Sequence, residues 1–155
     1  MATLKQALKA SNQIQPNNIE KFLFGIIKTI QKEILDANKG QLSKGKDVYN
    51  KTIGLYSKAT EAITTNQYLL GRRKDIKKAG TPFTAQETGS FFKGFYLEVV
   101  GDAFRIFSKD PKTHDILDTW ESDALFVLTD NKLREIVNKD ILPFLLRNIR
   151  NTLNL

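Results

Sequence analysis

The chain is poor in several chemically distinctive residues: it has no cysteine, one histidine, one methionine and one tryptophan. Without cysteine there can be no disulfide, no thiolate metal site and no cysteine nucleophile. Long apolar runs are also missing, since no stretch approaches the roughly 18 residues that a membrane span needs. The N-terminal sequence lacks the charged-then-apolar layout of a secretion signal. These absences predict a soluble protein that is made in a cytoplasm.

The sequence also lacks the common catalytic templates. No Gly-x-Ser-x-Gly elbow accompanies the single histidine, His114, and residues 40–47 do not follow the order of a P-loop. His114 lies among carboxylates that could ligate a metal, but these lack calcium-loop spacing, and no His-Glu-x-x-His occurs. An acidic run near a helix start is ordinarily a solvated face. We therefore expect no catalytic residue, no metal site and no cofactor.

The length and the patterning predict one α+β domain over residues 1–155, because 155 residues with 41% apolar content suffice for one core. Apolar residues recur at helical spacing in residues 16–38 and 130–152, which predicts two long amphipathic helices. Asn38 and Gly40 are expected to end the first helix, Asp130 to cap the last, and Pro143 to bend it near residues 139–141.

A β-hairpin is predicted for residues 91–108, because two runs rich in aromatic and β-branched residues flank Gly101-Asp102. Residues 113–121 are expected to form a short helix, and residues 1–15 an N-terminal arm that docks or stays mobile. The predicted fold is thus a small antiparallel β-sheet packed by two long helices. Because a two-strand hairpin is marginal alone, helices, further strands or a neighbouring copy must cover it.

The formal net charge of +7 is concentrated in residues 39–80. This segment has ten basic residues against three acids, whereas the rest of the chain has fourteen of each. It contains five glycines, and we expect a long basic loop or arm with one short helix around residues 57–70. A connection this long is commonly functional or ordered by a partner. Its charge predicts contact with something negative, either nucleic acid or an acidic protein face.

Short motifs in residues 84–99 resemble a known family. Thr88-Gly89 is followed at once by aromatic residues and a strand, with Gly54-Leu-Tyr-Ser57 upstream and a terminal amphipathic helix downstream. This arrangement, over about residues 40–150, is similar to neck or tail-completion proteins, the head–tail connectors of tailed bacteriophages. The likeness is greatest to versions from crAss-like and other phages of gut Bacteroidetes.

The resemblance implies a structural virion protein, located in the neck or tail, in a ring that joins the portal to the tail and lines or seals the DNA conduit. It implies that Thr88 and Gly89 shape a turn and that three phenylalanines, Phe91, Phe92 and Phe95, form the core of the sheet. The implied partners are copies of the chain itself and the portal or adjoining neck and tail proteins. The ring stoichiometry and the neighbouring proteins are left open.

Two oppositely charged sets of side chains are the candidate contact residues. The basic set, expected to meet a partner or DNA without reading sequence, is Lys44, Lys46, Arg72, Arg73, Lys74, Lys77 and Lys78. The acidic set, expected to face the next subunit of a ring, is Asp115, Asp118, Glu121 and Asp123. The alternative is a small nucleic-acid-binding accessory protein that uses residues 39–80. A small enzyme is a third class, with no residue constellation to support it.

Overall fold

The computed structural model describes residues 4–12, 14–84, 89–100, 103–120 and 123–153. Along these ranges, four helices and, directly before the first strand, a one-turn helix precede one antiparallel pair of strands, and further helical segments follow it. The elements, in chain order, are α1 (Leu4–Ser11), α2 (Pro16–Thr29), α3 (Gln31–Ser43), α4 (Lys58–Leu69), α5 (Ser90–Lys93), β1 (Phe95–Val100), β2 (Ala103–Ser108), α6 (Thr113–Trp120), a 3₁₀ turn (Asp123–Phe126), α7 (Asp130–Ile136), a π-helical segment (Val137–Ile141) and α8 (Leu142–Leu153). The predicted α+β class, a small hairpin packed by helices, is confirmed.

The first long helix differs from the prediction in where it ends. It is interrupted only at Ile30, across which the backbone hydrogen bonds to Ile26 and from Ile34 continue, and it then runs to Ser43. The predicted end at Asn38 and Gly40 is wrong. Asn38 is fully buried inside α3, where its amide has partners that no capping role would supply.

Two amide side chains of α3 fasten the segment that follows α6. Asn38 Nδ2 donates to the carbonyl oxygens of Leu125 and Val127 at 2.9 and 3.2 Å. Gln41 Nε2 donates to the same Val127 oxygen, and Gln41 Oε1 accepts from the amide of Thr129. Residues three apart on a helix share one face, so both amides reach the same loop. Three backbone groups of this segment, Leu125 O, Val127 O and the amide of Thr129, are thereby hydrogen-bonded to side chains of α3.

The two strands form the predicted hairpin in a single register, from Phe95 opposite Ser108 to Val100 opposite Ala103. The predicted turn at residues 101–102 lies outside the described residues. The strand begins later than expected, because Phe91 and Phe92 lie in the one-turn helix α5. Gly89, with a φ of +75°, precedes this helix, and glycine adopts that left-handed conformation without strain. Thr88, the other predicted turn residue, lies outside the described residues.

The last helical region starts one residue away from the predicted cap. Thr129, not Asp130, occupies the N-cap, and its hydroxyl accepts from the amide of Lys132. Asp130 is the first helical residue, where its charge suits the helix dipole. Where Pro143 was expected to bend the helix, the structure has the π-helical segment Val137–Ile141. A proline supplies no amide to the preceding turn, which favours such an irregularity.

The core lies between the hairpin and the long helices. It combines Ile34 and Leu42 of α3 with Phe91, Phe95 and Ile106 of the sheet region, and the buried Leu125, Leu128 and Ile136 complete it. The predicted N-terminal arm is represented by α1, which packs against α8 and buries Ala10. In the part of the chain that the structure describes, no helix is both long enough and apolar enough to cross a bilayer.

Candidate functional site

Most of the basic segment, residues 39–80, lies in an ordered arm, which we define as residues 53–84. Its two ends run antiparallel as a stalk: the amide of Tyr56 donates to Thr81 O at 2.9 Å, and the amide of Phe83 donates to Gly54 O at 2.9 Å. The stalk leads out to α4 and back, so the chain leaves and re-enters the body at neighbouring points.

Glycine is required at the base of the stalk. A Cβ on Gly54 would lie 2.5 Å from the ring of Phe83. A Cβ on Gly45 would lie 2.5 Å from Phe83 O, and Gly45 also has a φ of +67°. Two of the glycines that make the basic stretch look like a flexible loop therefore permit close packing of Phe83 instead.

The returning chain is tied to the inner side of α4. Ser57 caps the helix through a hydrogen bond from the amide of Thr60. The amide of Lys77 donates to Thr64 Oγ1 at 3.1 Å, and the amide of Ala79 donates to Glu61 Oε2 at 2.9 Å. Helix and return segment are thus joined through polar side chains rather than through an apolar interface.

A three-residue ion cluster closes the arm. Arg73 Nε lies 3.1 Å from Asp75 Oδ1, and Lys77 Nζ lies 3.0 Å from Asp75 Oδ2. The side chains of Arg73 and Lys77 are only 10% and 11% exposed, whereas that of Asp75 is 53% exposed. Burial raises the pKa of Asp75, but the hydrogen bonds and charges of Lys77 and Arg73 outweigh it, so the pKa is lowered. We call this cluster the Asp75 clamp.

Lys77 makes further contacts within the arm. Its Nζ donates to Thr84 Oγ1 at 3.1 Å and lies 5.6 Å from the centre of the Tyr56 ring. Tyr56 Oη in turn accepts from the amide of Thr84. A cation over an aromatic face is stabilised by the negative charge of the ring face. Lys77 therefore connects the clamp to the stalk.

A cleft of about 310 Å³ separates the arm from α5 and α6. Its wall on the arm side contains Arg73 and Lys77, and its opposite wall contains Asp110 and Asp115. Aromatic rings line its floor, where Phe83 and Trp120 stack with centroids 5.8 Å apart. The pKa of Asp110 is lowered by hydrogen bonds from the Ser90 side chain and the Lys112 amide. The wall opposite the arm also contains Lys112, so the cleft has cations on the arm side and side chains of both signs opposite, over an apolar floor.

The structure divides the predicted basic set into two groups. Arg73 and Lys77 point inward and belong to the Asp75 clamp. Lys46 is half-buried, and its Nζ donates to Thr52 Oγ1 at 3.2 Å. The exposed members are Lys44 at the end of α3 and, in the arm, Arg72, Lys74 and Lys78. We call these last three the outward cations.

The predicted acidic set is only partly described. Asp115 and Asp118 are exposed on α6, and Asp115 also reaches the cleft wall. Glu121 and the side chain of Asp123 lie outside the described residues. Asp115 of the acidic set and Arg73 and Lys77 of the basic set therefore line one cleft within a single molecule, which the sequence reasoning did not anticipate.

The arrangement offers binding surfaces more than reactive groups. His114 is exposed on α6. Within the described ranges, no three His, Asp or Glu side chains come together in a way that could hold a metal ion. Sequence reasoning missed the aromatic floor and the role of Asp75, although the alternation Arg73-x-Asp75-x-Lys77 was a usable signal for it.

Comparisons with protein-family models, with curated proteins and with solved structures found no match. The resemblance to phage neck proteins stays a prediction, and functional conclusions depend on the surfaces of this chain.

Proposed function

We propose that the chain is a structural protein of a tailed-phage virion, a ring subunit of the neck or tail that joins the portal to the tail. The observation that carries the proposal is that the chain presents two exposed patches of opposite charge on different elements. The outward cations lie on the arm, and Asp115 and Asp118 lie on α6.

Such a pair of patches suits the contacts within a ring. Closed rings form head to tail, so each subunit needs two different complementary surfaces. Opposite charges across the contact favour the correct register and speed association. The outward cations of one subunit would meet α6 of the next, while the clamp keeps the arm ordered inside each subunit.

Exposed apolar residues favour a protein partner over nucleic acid for the basic segment. Of the fifteen exposed large hydrophobic residues among the described residues, seven fall between positions 49 and 76. Phosphate contact needs only positive charge, whereas protein interfaces combine apolar and charged side chains. The alternative, a nucleic-acid-binding accessory protein, is favoured by Tyr68, which is exposed near the outward cations and could stack on a base.

The proposal is tested in particles of the phage that encodes the chain. We expect an antibody against the chain to label the junction of head and tail. The triple variant Arg72→Glu/Lys74→Glu/Lys78→Glu should block joining, and adding Asp115→Lys/Asp118→Lys should partly restore it. The control is Lys9→Glu/Lys21→Glu/Lys28→Glu, with the same charge change on α1 and α2, and it should join normally.

Two results would contradict the proposal. Absence of the chain from purified particles would remove the virion role. Normal joining by the triple variant, together with loss of binding to duplex DNA by the purified variant, would favour the nucleic-acid alternative. That binding should weaken steeply with added salt.

A further inference from the structure

The helix α4 turns its larger apolar side chains to solvent and its polar side chains to the protein. Every residue of α4 is described, and only Thr64 among them is buried. The apolar side chains point to solvent: Ile63, Leu69 and the adjoining Leu70 are 59%, 76% and 57% exposed. The helices of globular proteins ordinarily turn their apolar stripe to the core. Here the polar stripe faces the protein instead.

The outward direction of the apolar residues is fixed by the inner face. Thr64 and Glu61 accept the amides of Lys77 and Ala79, and the amide of Arg72 donates to Gln67 O at 2.9 Å. Rotating the helix by half a turn about its axis would bury the leucines, but it would separate Thr64 and Glu61 from these amides. Leaving such groups unsatisfied costs about 1–3 kcal/mol each.

Six exposed residues at helical spacing form one surface, which we call the outward face of α4: Ala59, Ala62, Ile63, Asn66, Leu69 and Leu70. The exposed Tyr68 does not belong to it. It is apolar except for Asn66 and has no carboxylate. Exposed cations border it, namely Lys58 at one end and Arg72 and Lys74 at the other. An apolar centre with a charged rim is the usual composition of a protein interface.

We propose that the outward face of α4 is a docking site for a different protein, which presents an apolar helical surface bordered by carboxylates. Because the rim is cationic, we expect carboxylates around the apolar surface of the partner. The proposal does not depend on a virion role, because it follows from the exposure and the charges of the arm alone. Arg72 and Lys74 are also outward cations, so at any one time they would contact either this partner or α6 of a neighbouring copy.

Within the described residues, the helical faces of a second copy complement the apolar centre of this face poorly. Pairing two α4 helices would bring the cations of one rim against those of the other. The exposed apolar residues of the C-terminal helical region, Leu133, Val137, Leu142 and Leu146, have exposed cations beside them, Lys139 and Arg147. The exposed carboxylate in this region, Glu135, is paired with Lys132. The exposed part of α6 is acidic, but its exposed residues include no large hydrophobic one.

The test uses two synthetic amphipathic helical peptides with the same leucine stripe, one flanked by glutamates and the other by lysines. Fluorescence anisotropy at physiological salt should give a micromolar Kd for the glutamate peptide and at least about tenfold weaker binding for the lysine peptide. The variant Ile63→Gln/Leu69→Gln/Leu70→Gln should raise the Kd for the glutamate peptide by about tenfold or more. The matched control, Val137→Gln/Leu142→Gln/Leu146→Gln, should bind it normally.

Several results would overturn the inference. These are no binding of either peptide, equal binding of both, and unchanged binding by the α4 variant. A dimer of the wild-type chain that the α4 variant abolishes would make a second copy the occupant. Competition of the glutamate peptide by a single-stranded oligonucleotide would assign the face to nucleic acid. Circular dichroism checks folding, and if the triple variant is unfolded, Leu69→Gln alone makes the same comparison.

Discussion

Asp75 links the order of the arm to pH. Burial raises the pKa of its carboxyl, but the hydrogen bonds and charges of Lys77 and Arg73 lower it below the ordinary value. A lowered pKa means that the folded protein favours the ionised carboxylate. The clamp therefore contributes its full stability above the ordinary aspartate pKa of about 4, and the contribution is lost as the pH falls through the lower, folded-state pKa.

Replacing Asp75 by Asn should loosen the arm. The variant leaves two nearly buried cations without their carboxylate. We expect the free energy of unfolding to fall by about 1 kcal/mol, which is more than for a typical exposed ion pair and less than for a buried one. Trp120, the chain's single tryptophan, stacks on Phe83 and should report the opening as a red shift of its emission. Acidification of the wild type should give the same shift.

The matched control for this change is Asp118→Asn, an exposed aspartate on α6. It should leave the emission at neutral pH unchanged. Equal spectra for Asp75→Asn and wild type at neutral pH would mean that the clamp does not hold the arm closed.

At the scale of elements, α3 is coupled to the segment before α7 by Asn38. Truncating it in Asn38→Ala removes the donor to the carbonyl oxygen of the buried Leu125, whereas Val127 O keeps its hydrogen bond from Gln41 Nε2. We expect the free energy of unfolding to fall by about 2–3 kcal/mol, as measured by urea denaturation. The exposed Asn66 of α4 is the control, and Asn66→Ala should change the stability by less than about 0.5 kcal/mol. Equal midpoints for the two variants would refute the coupling.

The sequence was informative where an element has strong periodicity of its own. The helical stripe after Pro16 and the alternation through the hairpin are local signals, and each element lies close to its predicted position. The end of the first helix was misjudged because Asn38 looks like a cap. Its partner Leu125 is 87 positions away in the sequence, so its burial leaves no local trace.

The candidate site was less predictable than the fold for a similar reason. Counting charges identified the basic segment but could not distinguish Arg73, which faces Asp75, from its neighbour Arg72, which faces solvent. The sequence predicted a short helix around residues 57–70 but could not show which of its faces is turned to solvent. The stalk depends on Tyr56 and Phe83 meeting across the whole arm, which no short window of sequence contains.

At the scale of the whole molecule, the basic side chains behind the net charge fall into two groups, which differ in what they do. Reversing the inward pair in Arg73→Glu/Lys77→Glu would place three carboxylates together at a mostly buried position, and we expect the arm to lose its order. Reversing the three outward cations should leave the stability nearly unchanged, because exposed charges contribute little.

Protease digestion and thermal unfolding of the two variants make this comparison. Cleavage within residues 70–84 should accelerate in the inward variant only. The digestion uses a protease that cuts after large apolar residues, because the substitutions themselves remove sites for a protease that cuts after basic residues. Similar digestion rates for the two variants would show that the division into inward and outward cations has no effect on stability.

The π-helical segment has a consequence for how the length of this chain can vary. A π turn contains one residue more than an α turn, so α7 and α8 keep the same rotational phase on either side of it. Loss of the exposed Asn138 would convert the turn to α-helix and leave α8 facing α1 and α2. The same loss within α3 would rotate the residues beyond it by about 100° relative to those before it. Among one-residue deletions within the helices, one between Val137 and Ile141 should therefore be tolerated better than one within α3.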